Sequence, residues 1–129
     1  MKHLFIPYEL ALIAKEKGFN EPCIAFINLS MYNLPSQKDR IIIEYSVLGN
    51  FEYYNDSSHI LSVPIYQQIF DWFREKHGIE IWVSPNIGYT RTTYTWHRTG
   101  DLISTTHRNN FEIYNEALIS SIEEAFKLI

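Results

Sequence analysis

Residues 89–108 carry the side chains best suited to chemistry in this chain of 129 residues. Positions 89–98 read YTRTTYTWHR, a run of threonines and aromatics that favours a β-strand. Alternation puts Thr90, Thr92, Tyr94, Trp96 and Arg98 on one face, and Tyr89, Arg91, Thr93, Thr95 and His97 on the other. Neither row is purely aliphatic, so at least one aromatic-and-cation row is expected to meet solvent or a partner. An arginine fork suits bidentate contact with phosphate or carboxylate, and Tyr or Trp offers a stacking plane for a base. The candidate ligand-binding set is Arg91, Tyr94, Trp96, His97, Arg98, His107 and Arg108, with one row doing the work rather than both. The same residues would also be good cross-strand neighbours on an ordinary exposed antiparallel strand.

The histidines, His3, His59, His77, His97 and His107, form no short metal-binding pair. A hairpin turning at Gly100-Asp101 would bring His97 and His107 face to face, with Asp101 to orient one of them. Such a pair beside a cation is what a small phosphodiester-cleaving enzyme would need; surface or half-buried histidines would look the same. His77 reads as a positive charge at a helix C-terminus. Cys23 opens an apolar strand and reads as a buried small hydrophobe. The glycines at 18, 49, 78, 88 and 100 are scattered and build no phosphate loop. No catalytic residue, cofactor or metal is expected.

Net charge is −4, which argues against duplex DNA as a partner, because that interaction rests on clustered cations. The distribution is uneven. Residues 89–108 hold Arg91, Arg98, Arg108, His97 and His107 against Asp101, whereas Glu112, Glu116, Glu123 and Glu124 follow against Lys127. Aromatics make up 16% of the chain, nine of them tyrosines, a composition suited to half-wet contact surfaces.

Length fits one α+β domain over residues 1–129. A single cysteine excludes an internal disulfide and fits a reducing compartment. The opening MKHLFIPYEL does not read as a signal peptide, and no apolar run approaches the roughly 20 residues that span a bilayer. The expected location is the cytoplasm, with no membrane partner.

Three helices position these side chains. The first covers residues 7–17, with Gly18 as its stop. The second, 64–77, begins at Pro64, carries Ile65, Ile69, Trp72, Phe73 and Lys76 along one side, and is stopped by Gly78. The third spans about 115–128, with Asn115 as a possible cap and Leu118, Ile122 and Ala125 at helical spacing. Strands are expected at 23–32, 40–48, 79–84, 89–98 and 102–107, with 51–54 a further one where Gly49-Asn50 folds the chain back. The order α-β-β-(β)-α-β-β-β-α predicts a mainly antiparallel sheet of about five to six strands with helices on one face. Trp72, Phe73, Ile69, Leu118 and Ile122 should be buried there.

Several short blocks carry a resemblance: AKEKGF at 14–19 with Glu21-Pro22-Cys23, WFREKH at 72–77, Glu116-Ala117-Leu118, and Leu128-Ile129. The chain resembles a group of short proteins encoded by phages and prophages of Bacteroidota. That resemblance implies a mobile-element origin and a bacterial host cell, brings no established function and carries over no catalytic residue.

Three function classes fit these readings. One is a non-enzymatic phage accessory protein that sequesters a small anionic, nucleotide-type ligand, as counter-defence proteins do. The second is an inhibitor or adaptor of a host protein, acting through a tyrosine-rich sheet face. The third is a small His-dependent nuclease. The aromatic β-surface exceeds what three short helices can cover, so a homo-oligomer, a two-fold dimer, is also expected.

Overall fold

A helix-then-strand unit around Gly78 organises the second half of the chain, and a strand-rich unit precedes it. The structure is a computed structural model and describes residues 2–31, 41–43, 55, 58–89, 91–99 and 111–129. Three α-helices and five strands lie among them: α1 (Tyr8–Glu16), β1 (Ala25–Asn28), β2 (Ile42–Ile43), β3 (Ile60–Ser62), α2 (Tyr66–His77), β4 (Ile81–Ile87), β5 (Thr92–Arg98) and α3 (Tyr114–Phe126). The class is α+β and every described strand pairing is antiparallel. The described strands do not form one sheet. They make a three-stranded sheet in the order β2-β1-β3 and a separate β4-β5 pair. No described helix is long and apolar enough to cross a membrane.

The chain divides into two compact units, Met1–Tyr66 and Gln67–Ile129. In the first, β1 is central, and Ala25, Phe26 and Ile27 are all buried. Burial of these three in succession explains why the strand shows no alternation, whereas Ile24, just before it in the apolar run, is 50% exposed. Beyond Asn28 the chain turns into a 3-10 helix, Leu29–Met31, so the strand is shorter than the apolar run suggests. Helix α1 packs against β3, burying Leu10, Ala11 and Ala14, and Lys15 Nζ donates to the Ile60 carbonyl at 2.9 Å. Asn55 is the knot of this unit. Its side chain donates to Phe19 O and accepts from Ser62 N, while its own N–H donates to Asn20 Oδ1 (2.8–2.9 Å).

Pro64 does not start α2. Ile65 forms a bridge with Phe5, and Pro64 O accepts from Ile6 N–H at 3.1 Å, which holds both residues extended, so the helix begins at Tyr66. Gly78 ends it with φ +67°, a conformation other L-residues adopt only at a cost, and donates its N–H to Arg74 O. In the second unit α3 lies across β4 and β5. Ile69, Trp72, Phe73, Leu118 and Ile122 are all buried, as the helical spacing predicted. Phe73 meets Phe126 at 5.0 Å and Trp72 at 5.1 Å, both with inclined rings. Each such side chain contributes roughly 1.5–3 kcal/mol through burial.

Other boundaries moved for local reasons. Ile113 is extended (φ −115°, ψ 127°) and occupies the cap position, so α3 begins at Tyr114 with no side-chain cap rather than at Asn115. Strand β4 runs past Ser84 through Pro85 to Ile87. The strands expected at 51–54 and 102–107, and most of 40–48, lie outside the described residues.

Candidate functional site

Strand register decides which side chains meet on the β4–β5 pair. Trp82 pairs with His97, Ser84 with Thr95 and Asn86 with Thr93. These six share one face, because alternate residues of each strand point the same way. Ile81, Val83, Pro85 and Ile87 share the other face with Arg98, Trp96, Tyr94 and Thr92.

Helix α3 covers the second face. Tyr94 packs edge-on against Tyr114 at 5.3 Å, and Trp96 Nε1 donates to Ser120 Oγ at 3.2 Å. Trp96 is 0% exposed, so its ring serves the core. Arg98, in the same row, is also buried at 9% exposure, and its Nε has no hydrogen-bond partner among the described residues.

The first face is open at Trp82, which is 45% exposed. The indole stacks on His97, with ring centroids 5.1 Å apart and planes inclined by 11°. Ser84 Oγ and His97 Nε2 share a hydrogen bond of 2.8 Å, and Asn86 Nδ2 donates to Thr95 Oγ1. The face therefore offers one aromatic plate with hydroxyl and amide groups beside it. A serine hydroxyl on an imidazole is the beginning of a nucleophilic arrangement, which also needs a group to orient the base. Among the described residues no carboxylate is bonded to His97, and no group of three or more metal-ligating side chains is found.

Arg91 lies before β5 at the hairpin end, exposed, in an ion pair with Glu112. Six residues of extended chain separate it from His97, roughly 20 Å. That spacing sets the two near opposite ends of one row of the strand. The candidate set thus divides three ways: Arg91 at the hairpin end, His97 on the open face, and Tyr94, Trp96 and Arg98 on the face under α3. His107 and Arg108 lie outside the described residues, as do Asp101 and Gly100.

Four of the exposed large apolar side chains of this unit belong to the hairpin end and to the start of α3, Trp82 and Leu128 being the others described. Ile87 is 86% exposed and Tyr89 is fully exposed. Ile113 and Tyr114, at the start of α3, are exposed as well. The Arg91–Glu112 pair, the Tyr94–Tyr114 ring contact and a β-bridge between Tyr94 and Phe111 tie the two segments together.

Edge chemistry adds a constraint. Tyr94 exchanges backbone hydrogen bonds with Phe111, so its polar groups point away from β4. Pro85, opposite Tyr94, therefore turns its nitrogen toward the outer edge of β4, where no N–H is available to a further strand. The residues missed from sequence are Trp82, Ser84 and Asn86. Their signal was the alternation in IWVSPN, hidden because Pro85 reads as a strand stop. Comparison with protein-family models, with curated proteins and with solved structures finds no match.

Proposed function

We propose that this chain is a non-enzymatic binding protein, an inhibitor or adaptor that docks a host protein through the hairpin end of its second unit. One observation carries the reading: Ile87, Tyr89, Ile113 and Tyr114 present large apolar surface together. Two segments braced by an ion pair, a ring contact and a backbone bridge hold them in place. Exposed aromatics on a rigid platform are the usual anchors of protein interfaces, since they bring area at little entropic cost. Pro85 supports docking by side chains rather than by strand addition along β4. The partner this surface fits is a protein with an apolar recess for Ile87 and Tyr89, rimmed by polar groups that meet Arg91 and Glu112.

The test is a photo-crosslinking amino acid in place of Tyr89, expressed in the bacterial host. A discrete heterologous adduct that disappears with Ile87→Asp supports the reading. A self-adduct assigns the surface to a dimer instead, and adducts indifferent to Ile87→Asp contradict a docking role.

A second reading is favoured by the Trp82–His97 stack. A planar, nucleotide-type small molecule would lie on the exposed indole, with Ser84, Asn86 and Thr93 along its edge. It ranks second because Arg91, the arginine of that row, is paired with Glu112 at the hairpin end, roughly 20 Å along the strand from His97. A thermal-shift screen with nucleotides, cyclic ones included, tests it, since ligand at 100 times its Kd stabilises by about 2.7 kcal/mol.

A further inference from the structure

We propose that the open face of the β4–β5 pair takes a neutral oligosaccharide, one ring stacked on Trp82 and its hydroxyl groups held by Ser84 and Asn86. This ligand shares with the nucleotide-type reading above only the indole platform, on which it rests, and differs from it in chemistry. The hairpin end takes no part.

Trp82 is 45% exposed and yet held in place, because the His97 imidazole lies parallel to it with centroids 5.1 Å apart. With the imidazole against one side of the indole, the exposed surface belongs to the other side and the rim. The face of an indole is electron-rich and attracts polarised C–H groups. A pyranose offers such C–H groups on one side of its ring and hydroxyls around its edge. It can therefore lie on the plate while its polar groups reach the strand beside it.

The rest of the row selects the ligand. Register and alternation place Ser84 and Asn86 of β4, with Thr95 and Thr93 opposite them, between Trp82 and the hairpin end. All four side chains are uncharged. Ser84 Oγ and His97 Nε2 share a bond of 2.8 Å. If the serine donates, its oxygen is left to accept; if it accepts, its proton is left to donate. Asn86 gives one amide N–H to Thr95 Oγ1, which leaves a second N–H and the amide oxygen for a ligand. A sugar hydroxyl donates and accepts at once, so it satisfies either arrangement. A phosphate or carboxylate only accepts, and the arginine of this row, Arg91, is paired with Glu112 beyond these residues. From Trp82 to Asn86 the strand runs roughly 13 Å. That is longer than one sugar ring, which points to a short chain of rings laid along β4.

The experiment titrates the full chain, in separate series, with cellohexaose, maltohexaose, xylohexaose and adenosine monophosphate, while acrylamide quenching of tryptophan fluorescence is followed. Trp72 and Trp96 are buried, so the accessible emission is that of Trp82. At least one oligosaccharide is expected to protect it saturably, with an affinity that does not fall as salt is raised, since the ligand carries no charge. By calorimetry, Trp82→Ala should bind that oligosaccharide at least about tenfold more weakly, the loss of a stacking plane. Asn86→Ala should bind it about threefold more weakly or worse, and it supplies the result should Trp82→Ala fail to fold. Protection by the nucleotide with none by any oligosaccharide keeps the platform and overturns this ligand; protection by neither overturns both. Affinity lost to salt, or unchanged in Asn86→Ala, also overturns the proposal.

Discussion

The Trp82 indole lies parallel to the His97 imidazole, 5.1 Å away across the β4–β5 pair, with half of the indole's surroundings open to solvent. The other two tryptophans, Trp72 and Trp96, are buried. Quenching of intrinsic fluorescence by acrylamide should therefore report Trp82 alone. Trp82→Phe is expected to remove the accessible fraction, at a stability cost within the roughly 0.2–1 kcal/mol typical of a cross-strand pair. Equal quenching of wild type and variant would refute this placement.

Asn55 should matter more than its position in a polar NDSS segment suggests. Three hydrogen bonds pass through it, linking the end of α1 to β3. Asn55→Ala leaves Phe19 O and Ser62 N short of a partner, and the expected loss is about 1–3 kcal/mol. It should show as a lower urea midpoint with an unchanged slope.

Gly78→Ala tests the stop of α2 without a packing change. No heavy atom lies within 4 Å of a Cβ added there. Any loss therefore comes from the positive φ, and about 1–2 kcal/mol is expected. A neutral result in denaturant would show that the turn relaxes.

Cys23 is buried, and burial pushes its thiol up to about 12 from 9.0. In the unfolded chain the thiol ionises near its ordinary value, so the folded state holds the proton more tightly. The sign follows: this contribution is intact below pH 9, and stability falls as pH rises from about 9 toward 12. Cys23→Ala should flatten that decline. Native protein near pH 8 should resist a thiol reagent that labels the unfolded chain at once.

How much of this was legible in the sequence depended on how local each cause is. Helix α2 and its glycine stop were readable because period, apolar side and terminator lie within a dozen consecutive residues. Strand β3 was not, since Ile60–Ser62 is too short to show a period and is defined by pairing with β1. The start of α2 was displaced by a bridge to Phe5, sixty positions away in the chain. Alternation correctly grouped Tyr94, Trp96 and Arg98. It could not say that α3 covers that row, because the choice depends on which face the helix packs against. Trp82 was overlooked because its partner His97 comes from register, a tertiary property that Pro85 disguised.

The hairpin end is the centre of the account, and the most direct test is the affinity of the crosslinked partner, once purified, for three single variants measured by calorimetry. Tyr89→Ala and Ile87→Ala should each weaken binding by 2 kcal/mol or more, about 30-fold, as anchors at an interface centre do. Trp82→Ala should bind like the wild type. The opposite pattern, full affinity in the first two and loss in Trp82→Ala, would contradict the account and move the interface to the stacked face.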